Sequence, residues 1–170
     1  DDREISYITH DSRKVKQGTL FIALKGINSD GHDYIFDAID NGAIAIVANG
    51  RAPSTNIVPI LQVNNPRKIM SQIASNFFES KQSNLKIVGI TGTNGKTTTT
   101  QIINHILNYN NFRSGSLGTL GFDSPTGMQS TNFTTPESID LHHILKIMKN
   151  GGIKFIPMEV SSHAIEMNRV

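Results

Sequence analysis

Val88-Gly89-Ile90-Thr91-Gly92-Thr93-Asn94-Gly95-Lys96-Thr97-Thr98-Thr99-Thr100 is the stretch on which the reading of this chain turns. The mainly apolar run Leu85 to Ile90 leads into it, and Ile102, Ile103, Ile106 and Leu107 follow. Their i, i+1, i+4, i+5 spacing predicts an amphipathic helix that buries one face. Strand, glycine turn and helix together aim backbone N–H groups and a helix N-terminus at an anion. Gly92 and Gly95 let the backbone fold around phosphate oxygens without a Cβ. Lys96 is placed to reach the β- and γ-phosphates, and the Thr97 hydroxyl to ligate Mg²⁺. The strict G-x-x-x-x-G-K-[ST] pattern is not met, because its first glycine falls on Ile90. This is a variant phosphate loop, and the competing reading is a glycine turn that merely joins a strand to a helix.

The 170 residues suit one ordinary domain, or a small domain plus part of another. With 37% hydrophobic and 18% charged residues there is enough apolar material for a core. A formal net charge of +2 without a Lys/Arg cluster, and 6% aromatic residues, argue against a nucleic-acid partner. The absence of cysteine excludes disulfides, thiolate metal sites and a cysteine nucleophile. No apolar run approaches the length of a membrane span, and the first residues, Asp-Asp-Arg-Glu, do not read as a signal peptide. The expectation is a cytoplasmic protein, monomeric, with no membrane contact.

Working outward, residues 1–82 read as a small α/β domain. Strands are expected at Thr19–Leu24, Ala43–Ala48 and Val58–Val63, the last at an edge because of Pro59. A helix is expected over Asp33–Asn41, stopped by Gly42. Asn65-Pro66 caps another helix, with Ile69, Met70, Ile73, Ala74, Phe77 and Phe78 as its stripe. The polar stretch Lys81 to Asn84 marks the boundary, and 83–170 read as a truncated phosphate-loop domain built on a parallel sheet. Within it, Ser124–Phe133 reads as an exposed loop. Thr135-Pro136-Glu137 caps a helix carrying Ile139, Ile144, Leu145 and Met148, closed by Gly151-Gly152. Ile153–Val160 is a strand in which Pro157 is awkward.

Glu159 ends that strand, one of the positions where open α/β sheets present ligand groups. It could hold Mg²⁺ opposite Thr97, or be a half-buried carboxylate paired with a lysine or arginine. Ser161-Ser162-His163 reads as a helix cap more readily than as a nucleophile, with no aspartate assignable to it. Asp11-Ser12-Arg13 and Asp30-Gly31-His32-Asp33 read as capped turns. His10, His32, His105, His142, His143 and His163 show no zinc spacing, and His105, His142 and His143 read as surface residues on helix flanks.

Four motifs together resemble the Mur ligases, and among them the MurE branch: Asp11-Ser12-Arg13 with Gly18-Thr19-Leu20-Phe21; Asp30-Gly31-His32-Asp33-Tyr34; Gly92 to Thr99; and Met158-Glu159-Val160-Ser161-Ser162-His163-Ala164. Thr134-Thr135-Pro136 strengthens the likeness. The resemblance implies an ATP- and Mg²⁺-dependent ligase of peptidoglycan synthesis. It would join a third amino acid, L-lysine or meso-diaminopimelate, to UDP-N-acetylmuramoyl-L-alanyl-D-glutamate through an acyl phosphate. It further implies that Ser12, Asn28 and Ser29 hold the uridine-nucleotide end, and that Thr134, Thr135, Ser161 and Arg169 hold the muramoyl-dipeptide and pyrophosphate side. Gly92, Thr93, Asn94, Gly95, Lys96, Thr97 and Thr98 would bind ATP. Thr97 and Glu159 would bind Mg²⁺, His163 joining the same neighbourhood, with Lys96 and Glu159 as the catalytic pair. The family's carbamylated lysine and amino-acid-binding domain would lie beyond Val170, and about twenty of its residues before Asp1. Two alternatives stand beside this reading: a folylpolyglutamate-type ligase, which shares the glycine loop, and a module that binds without turnover.

Overall fold

The computed structural model describes residues 2–26, 29–80, 84–131 and 133–170. It divides into two compact units, Asp1–Met70 and Ser71–Val170. The boundary expected at 82/83 falls outside the described residues.

The first unit is a four-stranded parallel sheet in the order β1-β2-β3-β4: β1 (Tyr7–Thr9), β2 (Thr19–Ile22), β3 (Ala43–Ala48) and β4 (Ile60–Gln62). Parallel neighbours need crossover connections. A 3₁₀ turn at Ser12–Lys14 lies between β1 and β2, and a second at Gly31–Tyr34 runs into α1 (Ile35–Asp40) between β2 and β3. The helix expected over Asp33–Asn41 therefore starts as 3₁₀, and β2 ends two residues short of Leu24. β2 and β3 are largely buried, apolar runs of the kind that strands covered on both faces require, whereas β4 is mostly exposed. Phe21, Ala23, Ile35, Ala38, Ala43, Ile46 and Ala48 close one core. β4 takes the edge that Pro59 indicated, and the Pro59 carbonyl accepts from Ile46 N–H at 3.0 Å.

Asp30 organises the turn into α1. Its carboxylate accepts from the His32 backbone N–H at 3.1 Å, from His32 Nδ1 and from Arg51 Nη1 at 2.8 Å. His32 is buried, and its Nε2 accepts from Asn49 N–H at 3.4 Å, so the neutral ring carries its hydrogen on Nδ1. The bond from His32, seconded by Arg51, holds the Asp30 carboxyl down at about 2.

α2 (Pro66–Phe77) begins as its sequence announces, with Asn65 Oδ1 accepting from Lys68 N–H at 3.1 Å. The second unit carries a five-stranded sheet in the order β5-β9-β6-β7-β8. β5 (Lys86–Ile90), β9 (Phe155–Glu159) and β6 (Leu117–Gly118) are parallel. β7 (Gly121–Ser124) and β8 (Gly127–Gln129) extend the sheet as an antiparallel hairpin, so the segment expected as a loop at Ser124–Phe133 contains a strand. The helices are α3 (Lys96–Tyr109), α4 (Ser138–Asn150) and α5 (Ser162–Glu166). Leu141, Ile144, Leu145 and Met148 of α4 pack on Leu117, Phe122, Ile156 and Met158. Among the described residues no helix is long and apolar enough to cross a membrane.

Three expectations need correction. The α3 stripe is only half covered: Ile103 and Leu107 are half-buried, but Ile102 and Ile106 are each 54% exposed. The helix instead turns a polar side to the sheet, where Gln101 Nε2 donates to Ser116 Oγ at 3.1 Å and Asn104 Nδ2 to Asp123 at 3.3 Å. β5 is the edge strand on that side, and Ile87 and Val88 are exposed too, so among the described residues nothing covers the outer half of the stripe. Next, His142 is not a free surface residue. Its Nδ1 lies 2.7 Å from Ser80 Oγ, and burial lowers its pKa. Finally, of the Thr135-Pro136-Glu137 segment expected to cap α4, Glu137 takes the N-cap position but makes no side-chain cap hydrogen bond.

Pro157 fits its central strand for a reason visible in the register. Lys154 O and Val160 N bond toward β5, whereas Phe155 O accepts from Gly115 N on the other side. Both backbone groups of a parallel-strand residue face one neighbour, so Pro157 withdraws its donor only from the side of β6, which is two residues long.

Met148→Ala should cost about 2–5 kcal/mol in denaturant unfolding of the second unit, against less than about 0.5 kcal/mol for exposed Met128→Ala. For the first unit, a depressed carboxyl pKa gives stability that is whole above the unfolded value of 3.8 and is lost as pH falls through about 2. Asp30→Asn should be less stable at pH 5 and should flatten the loss between pH 4 and pH 2, measured as urea midpoints against pH.

Candidate functional site

The register of the second sheet assembles the site. Ile90 of β5 pairs with Glu159 of β9, and Leu117 of β6 with Met158. The phosphate loop, Glu159 and the chain leaving β6 at Gly118-Thr119 therefore meet at the carboxyl ends of parallel strands, where ligand crevices form.

Thr91 to Gly95 are exposed between β5 and α3, with Gly92 at φ 147° and Gly95 at φ 78°. Both angles belong to the region glycine enters freely, which is why this turn is spelled with glycine. Lys96 Nζ folds back on the loop and donates to Gly92 O at 2.8 Å. Thr97 Oγ1, one residue into α3, donates to Glu159 Oε2 at 3.0 Å. Thr93, Asn94 and Thr98 are exposed beside them.

Glu159 is 2% exposed. Thr119 holds it from a second direction, its backbone N–H donating to Oε1 at 3.0 Å and its hydroxyl to Oε2 at 3.1 Å. Gly118 makes room: a Cβ there would stand 2.6 Å from Glu159 Cγ and Cδ. No lysine or arginine pairs with this carboxylate among the described residues, so the ion-paired alternative for Glu159 is not what the fold builds. A buried carboxylate satisfied only by hydroxyls and an amide is a charge in want of a cation. Hydroxyl and carboxylate oxygens are also the donors Mg²⁺ takes, so the pair Thr97 and Glu159 fits that ion.

The Thr134–Thr135 segment joins the same end. Thr134 Oγ1 lies 3.0 Å from Thr119 Oγ1. Thr135 Oγ1 donates to the Glu159 carbonyl at 3.0 Å and accepts from Ser161 N–H at 3.1 Å. Arg169, 9% exposed, donates from Nη1 to Thr135 O at 3.2 Å and pairs through Nη2 with Glu137 at 2.9 Å. Its guanidinium carbon lies 5.3 Å from the Phe133 ring centroid. Ser161 is the N-cap of α5, accepting from Ala164 N–H at 3.2 Å.

Not every candidate converges here. His163 is exposed, and among the described residues its ring meets neither Thr97 nor Glu159. Ser12 and Ser29 belong to the first unit. Ser12 opens the 3₁₀ turn capped by Asp11, whose carboxyl is held below its usual range by the bidentate Arg13, each bond 2.8 Å. Ser29 O accepts from Gly26 N–H at 2.9 Å, and Asn28 lies outside the described residues. Thr119 and the Glu137–Arg169 pair were missed in the sequence. The only signal for Thr119 was a Gly-Thr leaving a short apolar piece in a Gly/Ser-rich stretch.

Comparison with known proteins bears on all of this. Residues 4–78 match the profile described as Mur ligase family, catalytic domain, and residues 90–170 match the Mur ligase middle domain. The UDP-N-acetylmuramoyl-L-alanyl-D-glutamate--2,6-diaminopimelate ligase of Caldanaerobacter subterraneus is 42% identical over 98% of this chain and 35% of its own length. The enzyme of the same name from Clostridioides difficile is 43% identical over 98% of the chain and 34% of its length. A solved diaminopimelate ligase of that name superposes with a TM-score of 0.76 at 27% identity, over 95% of this chain and 33% of that one. MurF from Thermotoga maritima, solved with ADP, gives 0.63 at 25% identity, over 95% of this chain and 33% of that one. The chain thus spans about a third of the length of the relatives it matches. Two adjoining family profiles, relatives at this identity and the shared fold agree: this chain belongs to the Mur ligase family.

Proposed function

We propose that the protein to which this chain belongs is an ATP-dependent ligase of peptidoglycan synthesis, acting in the cytoplasm. It would add the third amino acid to UDP-N-acetylmuramoyl-L-alanyl-D-glutamate. The names of the relatives favour 2,6-diaminopimelate as that amino acid. The observation that carries the reading is the buried Glu159 carboxylate, which no cation pairs among the described residues and which is bonded to the threonine that follows the phosphate-loop lysine.

In this reading the amino-terminal domain, 1–82, holds the uridine nucleotide through Ser12, Asn28 and Ser29, and 83–170 holds ATP. The amides of Gly92 to Thr98 and the Lys96 ammonium cradle the phosphates. To do so, Lys96 gives up its bond to Gly92 O for a phosphate oxygen. Thr97 and Glu159 would hold Mg²⁺, which when bound neutralises phosphate charge. Thr134, Thr135, Ser161 and Arg169 position the muramoyl-dipeptide. The D-glutamate carboxylate oxygen bonds to the γ-phosphorus as the β–γ bridging bond breaks and ADP leaves. The amine of the third amino acid then attacks the acyl carbon, forms the amide, loses a proton and releases phosphate. Lys96 stabilises charge on the transferring group while the loop keeps donor and acceptor in line.

In the full-length protein, Lys96→Ala should lower kcat for ligation by about 10²–10³-fold or more, read as ADP release dependent on the amino acid. A variant turning over near the wild-type rate would rule out the role given to Lys96. Arg169→Ala should raise KM for the UDP-precursor about tenfold and leave KM for ATP within about twofold. Equal losses for both substrates would show that Arg169 supports the fold of this end rather than the precursor.

A further inference from the structure

Glu159 can act on a metal or phosphate only if its carboxylate is held in one orientation, and it is the last residue of β9. Thr97 reaches only Oε2. Thr119 reaches both oxygens, from two groups of one residue: the backbone N–H on Oε1 and the hydroxyl on Oε2. Its placement is built in, because Gly118 pairs with Gly121 across the β6–β7 turn and has no Cβ to collide with Glu159.

The hydrogen positions follow from counting protons. A carboxylate only accepts, so the single hydroxyl proton of Thr119 is directed at Glu159. The 3.0 Å bond to Thr134 must then run the other way, from the Thr134 hydroxyl to Thr119 Oγ1. Thr134 adjoins Thr135, whose hydroxyl bonds the Glu159 carbonyl and whose own carbonyl takes Arg169. The Glu159 carboxylate is thus joined to the precursor segment through the Thr119 hydroxyl, while Thr135 holds the backbone of the same residue. With its proton engaged, Thr134 offers an incoming ligand a lone pair, which suits an N–H or O–H of the precursor and not a carboxylate or phosphate oxygen.

We propose that Thr119 is a positioning residue that orients both oxygens of Glu159 and ties them to Thr134, coupling the nucleotide end of the site to the acceptor end. This rests on the ligase reading for what the site does, but its test does not need turnover.

The test uses full-length protein with ADP present and Mn²⁺ as the probe, titrated by the loss of the free-ion EPR signal. Thr119→Val, which keeps the backbone N–H and removes the hydroxyl, should weaken Mn²⁺ binding about 10–100-fold, the usual effect of losing a partner that orients a ligand. Thr119→Ser should bring it back to within about threefold of wild type. In ligation assays the valine variant should lower kcat about tenfold or more. Combined with Thr134→Val it should lose little further, because the two hydroxyls act as one path. Matched thermal melts show that each variant folds, and Thr119→Ala replaces the valine if the valine does not. Unchanged Mn²⁺ affinity in the valine or alanine variant, serine as poor as valine, or wild-type protein that binds no Mn²⁺ with ADP would each overturn the proposal. Additive losses in the double variant would overturn the coupling. Wild-type protein that binds Mn²⁺ with ADP yet ligates nothing would instead remove the ligase reading, and the Mn²⁺ titration would still decide the role of Thr119.

Discussion

A buried carboxylate, Glu159, with no counter-ion among the described residues is the constraint on which the second unit depends. Removing a carboxylate from water is costly unless its oxygens are bonded and its charge is balanced. Other acidic groups in the chain meet that demand with cations: Asp11 with Arg13, Asp30 with Arg51, Glu137 with Arg169. Glu159 is deeper than any of them and meets it with two hydroxyls and an amide. Bonding is satisfied there while no cation among the described residues balances the charge, which sets Glu159 apart from the ion-paired carboxylates and underlies the role proposed for it.

The surrounding elements follow from serving that group. The β5–β9 register brings the phosphate loop level with Glu159, and α3 starts close enough for its second residue to reach it. β6 is only two residues long, so the chain can leave the sheet at Gly118 and turn Thr119 inward. The same shortness spares β9 the consequence of Pro157, whose missing donor would otherwise interrupt a ladder. Threonine recurs at every contact, in Thr97, Thr119, Thr134 and Thr135, each a branched and therefore restricted side chain with one proton to direct.

What the sequence disclosed was local. The loop glycines, the lysine that follows them, β3, the Asn65-Pro66 start of α2 and the apolar side of α4 all lie within one turn or one strand, and periodicity or backbone chemistry announces them. Pairings across long separations were not announced. Thr119 stands 40 residues from Glu159, and nothing in its own neighbours signals the contact. The stripe on α3 was visible, but periodicity states that a face is apolar, not that a layer exists to cover it. β8 escaped notice because Gly127-Met128-Gln129 has no alternation to distinguish it from a polar loop. Glu137 and Ser161 sit side by side with helix starts, yet only Ser161 caps one, since Arg169 draws Glu137 away.

The phosphate loop itself shows how local chemistry is made ready for a ligand. Its turn places Gly92 and Gly95 at positive φ, where a side chain would be strained. Lys96 meanwhile is partly covered and bonded to Gly92 O, within the loop it serves. An ammonium bonded to a neutral carbonyl at an exposed turn is held weakly compared with one facing phosphate oxygens. The folded-back lysine thus keeps its charge beside the loop at small cost, and in the proposed function it would exchange this carbonyl for a phosphate oxygen. Glycine fixes the cradle, and the lysine bond is the part that changes.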